Sequence, residues 1–134
     1  MTTLKLDVVA PQGMILTEEV KGVIAPGTEG YLGIRPRHAP LLTSLKAGVL
    51  YYRKVGDKVG RMAVSGGFME VGPAQVIVLA DTAELASKID VEKARQEKAQ
   101  AEKQLRERPP GFDPVQAEEE LQRCNAWLKA AAVE

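Results

Sequence analysis

Few side chains in this sequence have types and spacings that suit chemistry. His38 is its one imidazole, held in Arg35-Pro36-Arg37-His38-Ala39-Pro40 after glycines at 27, 30 and 33. Cys124 is its one thiol. An imidazole suits proton transfer or metal ligation. With one His, one Cys and no His-Glu-x-x-His, the usual parts of a zinc site or a Ser–His–Asp triad are missing. Asp81 and Glu84 are spaced as paired carboxylates, yet their surroundings read as a solvated strand-to-helix connection. Ser65, in Ala63-Val-Ser-Gly-Gly-Phe68, lacks the Gly-x-Ser-x-Gly turn that exposes a nucleophile. The glycine spacing fits neither Gly-x-x-x-x-Gly-Lys-Ser/Thr nor Gly-x-Gly-x-x-Gly. The residues predict a chain with no catalytic residues and no metal site. His38 keeps two readings, a partner-facing loop or a stiff turn.

Whatever these residues do, a scaffold must place them. Lys plus Arg and Asp plus Glu number 18 each, so the formal charge is zero; a nucleic-acid binder would carry a basic excess. A single cysteine allows no internal disulfide and suits a reducing compartment. The opening has no apolar core of signal-peptide length. No run reaches the ~18 apolar residues that cross a bilayer, so direct membrane insertion is not expected.

Residues 1–86 read as a head of strands. Leu4, Leu6 and Val8 alternate with Lys5 and Asp7, the period of a half-buried strand. Val20–Ala25, Val49–Val55, Arg61–Val71 and Gln75–Ala80 follow, with turn signals at Gly56-Asp57 and Gly72-Pro73. Short strands separated by turns predict an antiparallel β-sandwich or flattened barrel.

Residues 87–134 read as a helical tail. Val91, Ala94, Lys98, Ala101 and Leu105 form a seam at spacings of three and four. Arg108-Pro109-Pro110-Gly111 stops that helix. Asp113, Pro114 and Gln116 start another as N-cap, first-turn proline and capping-box partner. Ala117, Leu121, Cys124, Leu128 and Ala131 repeat the seam. The short link predicts an antiparallel hairpin. Its seam is thin in large apolar groups, each worth roughly 1.5–3 kcal/mol when buried, against roughly 1–2 kcal/mol to order each backbone residue. Such a pair either docks permanently on the head or is an element that a ligand or partner can shift. From the residues alone, the chain is a binding module with a helical tail, and an oligomerisation tail on a stand-alone module stays open.

A specific likeness runs along nearly the whole sequence. Gly30-Tyr-Leu-Gly-Ile-Arg-Pro-Arg-His-Ala-Pro40 resembles the Gly-x-Leu-Gly-x-x-Pro-x-His-Ala-Pro signature of the ε subunit of bacterial F-type ATP synthase. Leu4–Val20 resembles that family's opening strand pair. Val64-Ser-Gly-Gly-Phe-Met-Glu-Val71 with Val76–Ala80 resembles its Ser-Gly-Gly-Phe segment, and Ile89-Asp-Val-Glu-Lys-Ala94 its Ile/Leu-Asp-x-x-Arg-Ala motif.

The resemblance implies a rotor subunit of the central stalk, peripheral on the cytoplasmic face of the bacterial inner membrane. It would couple proton flow to ATP synthesis and restrain ATP hydrolysis. Its head would bind the gamma subunit and the c-subunit ring; its tail would extend toward the alpha/beta hexamer. Glu29, Tyr31, Arg37 and His38 fall at the implied c-ring and gamma interface. Tyr31 stands where many relatives carry an acid, which suits an aromatic contact, with Glu29 a nearby carboxylate. Some relatives bind ATP as a regulatory ligand at the start of the tail; the matching positions are Glu84, Ile89, Asp90, Lys93, Ala94 and Arg123. Lys93 replaces a motif arginine, exchanging a fork for a point charge. Gln100 and Trp127 replace further arginines. The tail's Lys93, Arg95, Lys98, Lys103, Arg106 and Arg108 would meet acidic partner surfaces.

Overall fold

The computed structural model describes residues 2–132. Met1 of the expected head and residues 133–134 of the expected tail lie outside the described residues. Seven strands come first: β1 (Leu4–Ala10), β2 (Gly13–Gly27), β3 (Gly30–Ile34), β4 (Leu41–Ser44), β5 (Gly48–Lys54), β6 (Val59–Val71) and β7 (Gln75–Leu85). A 3-10 turn (Ala86–Lys88) leads to α1 (Val91–Glu107) and α2 (Pro114–Ala131). The expected turns are present: Asp57 N–H donates to the Lys54 carbonyl, and Gly72 N–H to that of Gln75.

The strand order β1-β7-β6-β5-β2 closes on itself, because β1 also pairs with β2. The result is a flattened barrel. One ladder departs from the all-antiparallel expectation: β1 and β7 run parallel. Parity explains it. Four antiparallel steps (β1–β2, β2–β5, β5–β6, β6–β7) return the chain to its starting direction. A ring of five strands cannot be antiparallel throughout, so the closing ladder is parallel.

Inside lie Leu4, Leu6 and Val8 from β1, with Val20, Val23, Ile34, Leu50, Met62, Val64, Met69, Val76 and Val78. The inward positions of β6 change parity between Val64 and Met69, and those of β7 between Ala80 and Ala83. The cause sits at Gly66 and Gly67, with φ of +69 and +105, a region that L side chains avoid. Here β6 exchanges its neighbour β5 for β4. The Ser65-Gly66-Gly67 stretch is a strand bend. Before it, β6 turns Ala63 outward, toward the tail.

The helices begin and end as their caps dictate. Asp90 Oδ1 accepts from Lys93 N–H at 3.0 Å. Asp113 Oδ1 accepts from Val115 N–H and Gln116 N–H at 3.0 and 3.3 Å. The Asp113 cap forms from one side only: no bond from the Gln116 side chain back to Asp113 accompanies it among the described residues. α1 stops at Arg108, a left-handed C-cap at φ +48 whose N–H donates to the Gln104 carbonyl, and Pro109 beyond it has no N–H with which to continue the helix.

The tail is docked. α2 turns one side to α1, burying Ala117 and Cys124, and the other to the head. On the head side Ala126, Trp127 and Ala130 pack on Val49 of β5 and Ala63 of β6, joined by Ile89 and Ala94. The expected seam is partly corrected here. Leu121, Leu128 and Ala131 are only half-buried, while Trp127 and Ala130 are fully buried. The sheet, rather than α1, supplies the larger contact for α2's last two turns.

Candidate functional site

The six positions implied for nucleotide meet at the head–tail junction. Glu84 is the penultimate residue of β7, Asp90 caps α1, Lys93 and Ala94 lie in α1's first turn, and Arg123 comes from α2. With Thr82, Glu97, Glu120 and Trp127 these residues line a cleft of about 470 Å³. Ile89 backs the junction from within the buried cluster under α2.

The electrostatics of the cleft are set by its carboxylates. Arg123 donates to Glu120 Oε1 at 2.6 Å and to Glu97 Oε1 at 3.2 Å, joining the two helices. Its guanidinium lies over the Trp127 ring, 5.1 Å from the centroid. The Arg123 hydrogen bond holds the Glu120 carboxyl below the ordinary carboxylate range. Glu120 in turn pushes the Arg123 guanidinium further up. Cys124 is fully buried beside them, and burial raises its thiol. Glu84, Asp90, Glu97 and Glu120 stand against Lys93 and Arg123, four acids to two bases in the lining. Both Arg123 partners would have to yield before a polyphosphate could take their place.

The positions implied for the c-ring and gamma do not form one cluster. Glu29 and Tyr31 flank the β2–β3 turn, where the Tyr31 hydroxyl accepts from Val49 N–H at 3.0 Å. Arg37 and His38 sit past the other end of β3, roughly 10 Å of strand away. There Arg37, at φ +65, donates its N–H to the Pro73 carbonyl, pinning the loop to the β6–β7 turn. His38 Nδ1 donates to the Ala39 carbonyl at 2.7 Å.

A further surface was not singled out in the sequence. Phe68, Leu79, Val9 and Met14 are successive cross-strand partners on β6, β7, β1 and β2. They form one row across the barrel's outer face, spanning roughly 14 Å. Phe68, Leu79 and Met14 are each more than half exposed, and Leu42 beside them on β4 is 69% exposed. The signal was legible in Val76-Ile-Val-Leu-Ala80, an apolar run without alternation, which is the pattern of a strand covered on both faces.

Two family models match, one after the other. Residues 3–86 match the ATP synthase delta/epsilon-chain beta-sandwich domain, and residues 87–132 match the delta/epsilon-chain long alpha-helix domain. The chain belongs to the ATP synthase epsilon-chain family. An ATP synthase epsilon chain of Moorella thermoacetica is 54% identical over 131 residues, covering 98% of each sequence. That of Desulforamulus reducens is 46% identical over 129 residues, covering 96% of this chain and 97% of the relative. The fold also resembles a chain of the Euglena gracilis mitochondrial ATP synthase, with TM-score 0.83 at 24% identity, over 98% of this chain and 82% of that one. Among the described residues no helix is long and apolar enough to cross a membrane.

Proposed function

We propose that this chain is a non-catalytic rotor subunit of an F-type ATP synthase. Its head grips the gamma subunit and rests on the c-subunit ring. Its tail undocks to reach the alpha/beta hexamer and restrain ATP hydrolysis. It works peripherally at the cytoplasmic face of the bacterial inner membrane and couples proton flow to ATP synthesis.

The observation that carries this reading is the exposed apolar row on the head. An isolated soluble domain rarely shows a contiguous patch of this kind, and a bound partner is its usual explanation. Phe68 and Leu79 of the row lie on the other side of the glycine bend from Ala63 and Glu84, where the tail is seated, while Met14 at the row's end shares a cleft with Arg123 and Trp127 of the docked tail. The c-ring contact falls to the stiff Arg37–His38 loop beside Pro73, with Glu29 at the far end of β3. Tyr31, its hydroxyl committed to Val49, contributes ring surface only. The test is capture of purified gamma subunit by the full chain. Phe68→Asp should weaken capture by at least about 2 kcal/mol, the effect of losing a central interface anchor, while leaving the fold intact. Equal capture by wild type and Phe68→Asp would place the gamma contact elsewhere.

ATP is proposed as a weak ligand of the junction cleft, bound by Lys93 and Arg123 once Arg123 leaves Glu97 and Glu120. Titration to millimolar ATP should shift the Ala94 and Arg123 amide resonances; unchanged spectra would remove ATP from this account.

A further inference from the structure

We propose that Arg61 and Glu84, both on the head, form a two-point latch that holds the end of α2 and sets how often the tail undocks. Glu84 lies directly opposite Ala63 across the β6–β7 ladder, and Arg61 lies two residues further along β6 on the same outer face. The tail matches that spacing. Trp127 Nε1 donates to Glu84 Oε1 at 2.8 Å. One helical turn later, Arg61 Nε donates to the Ala130 carbonyl at 2.9 Å, and Arg61 Nη2 donates to the Ala132 carbonyl at 2.8 Å.

The chemistry suits the position. The last carbonyls of a helix lack partners within it and carry the negative end of its dipole. A guanidinium presents two donors from one rigid plane, so Arg61 meets two carbonyls at once where a lysine would meet one. Because its acceptors are main-chain atoms, Arg61 recognises the end of a seated helix, whatever side chains that end carries. Between the two latch points the contact is made by Ala63, Ala126 and Ala130, whose small side chains let α2 approach closely but contribute little buried area. Trp127 is the largest group in a contact that also takes in Val49, Tyr51, Ile89 and Leu128, and Glu84 fixes where its ring sits. The polar contacts add to this apolar seat two points at which α2 is held or released.

This inference rests on the regulatory reading above for its purpose, while the contacts themselves belong to the isolated chain. The test uses the full chain alone. Trp127 is its only tryptophan and only 6% exposed, so acrylamide quenching of its fluorescence reports undocking. Arg61→Ala and Glu84→Ala should each raise the open fraction about tenfold, as expected for lost charge-assisted bonds. Arg61→Lys should restore part of the protection. Amide exchange in α2's last turn should quicken in parallel, while exchange in β1 and β7 stays slow. If Arg61→Ala does not fold, Arg61→Lys carries the comparison, with an open fraction between wild type and Glu84→Ala. Wild-type quenching in Glu84→Ala and in the folded Arg61 variants would overturn the latch. A readily undocked tail that leaves ATP hydrolysis by the assembled complex unchanged would instead overturn the regulatory reading and leave the latch standing.

Discussion

A methyl group at position 67 would run into the Leu79 carbonyl and the Ala80 backbone across the β6–β7 ladder, in a residue already at φ +105. Neither neighbour is a flexible side-chain tip, so the strand itself must move. Gly67→Ala should destabilise the head by about 3 kcal/mol or more in urea denaturation. Gly13→Ala provides a control: its φ is also positive, but nothing lies within 4 Å of the added carbon. It should cost roughly 1–2 kcal/mol. Ser65-Gly66-Gly67 was legible as lacking a nucleophile's turn. Its actual work, reversing which side of β6 and β7 faces inward, depends on a change of neighbouring strand that local spacing does not encode. The candidate-site residues divide along the same line. Asp90 and Asp113 are readable as caps because a cap acts within three residues. Arg61 has no signal, because its partners lie 69 and 71 positions away.

The hairpin carries a carboxylate whose contribution to stability depends on pH. Arg123 bonding holds the Glu120 carboxyl below its ordinary value of 4.5. A depressed carboxyl contributes stability that is complete above the unfolded-state value and is lost as pH falls through the folded-state one. The clasp between α1 and α2 should therefore hold at neutral pH and loosen below about pH 4.5. Trp127 emission, read along an acid titration, should shift red over that range. Glu120→Gln should lack the Glu120 part of the transition while keeping the fold at pH 7. An identical titration in the variant would show that this carboxylate does not govern the clasp. The same charges bear on nucleotide: Glu97→Gln with Glu120→Gln frees Arg123, so ATP should bind about tenfold more tightly, checked by calorimetry. Both helices, their ends and the hairpin were legible from spacing and capping. The division of α2 into one side for α1 and another for the sheet was not. Trp127 and Ala130 fall outside the seam of threes and fours, and only the outward-facing Val49 and Ala63 show where they go. β3 and β4 were missed as strands for a different reason: five and four residues are too few for a period of two to stand out.

Across the whole molecule, closure of the barrel and docking of the tail share β6. Its inner residues build the core, its outer Ala63 and Arg61 seat α2, and its far half presents Phe68 to solvent. A partner on Phe68 and Leu79 would use strand positions other than those under α2, while Met14 at the row's end lies beside Trp127 and Arg123. In the proposed function the head anchors the chain while the tail restrains hydrolysis. The most direct measurement compares ATP hydrolysis by the assembled complex carrying either the full chain or a chain ending at Ile89. The shortened chain should still co-purify with the complex, and hydrolysis should rise. Equal hydrolysis with the shortened chain bound would contradict the proposed function.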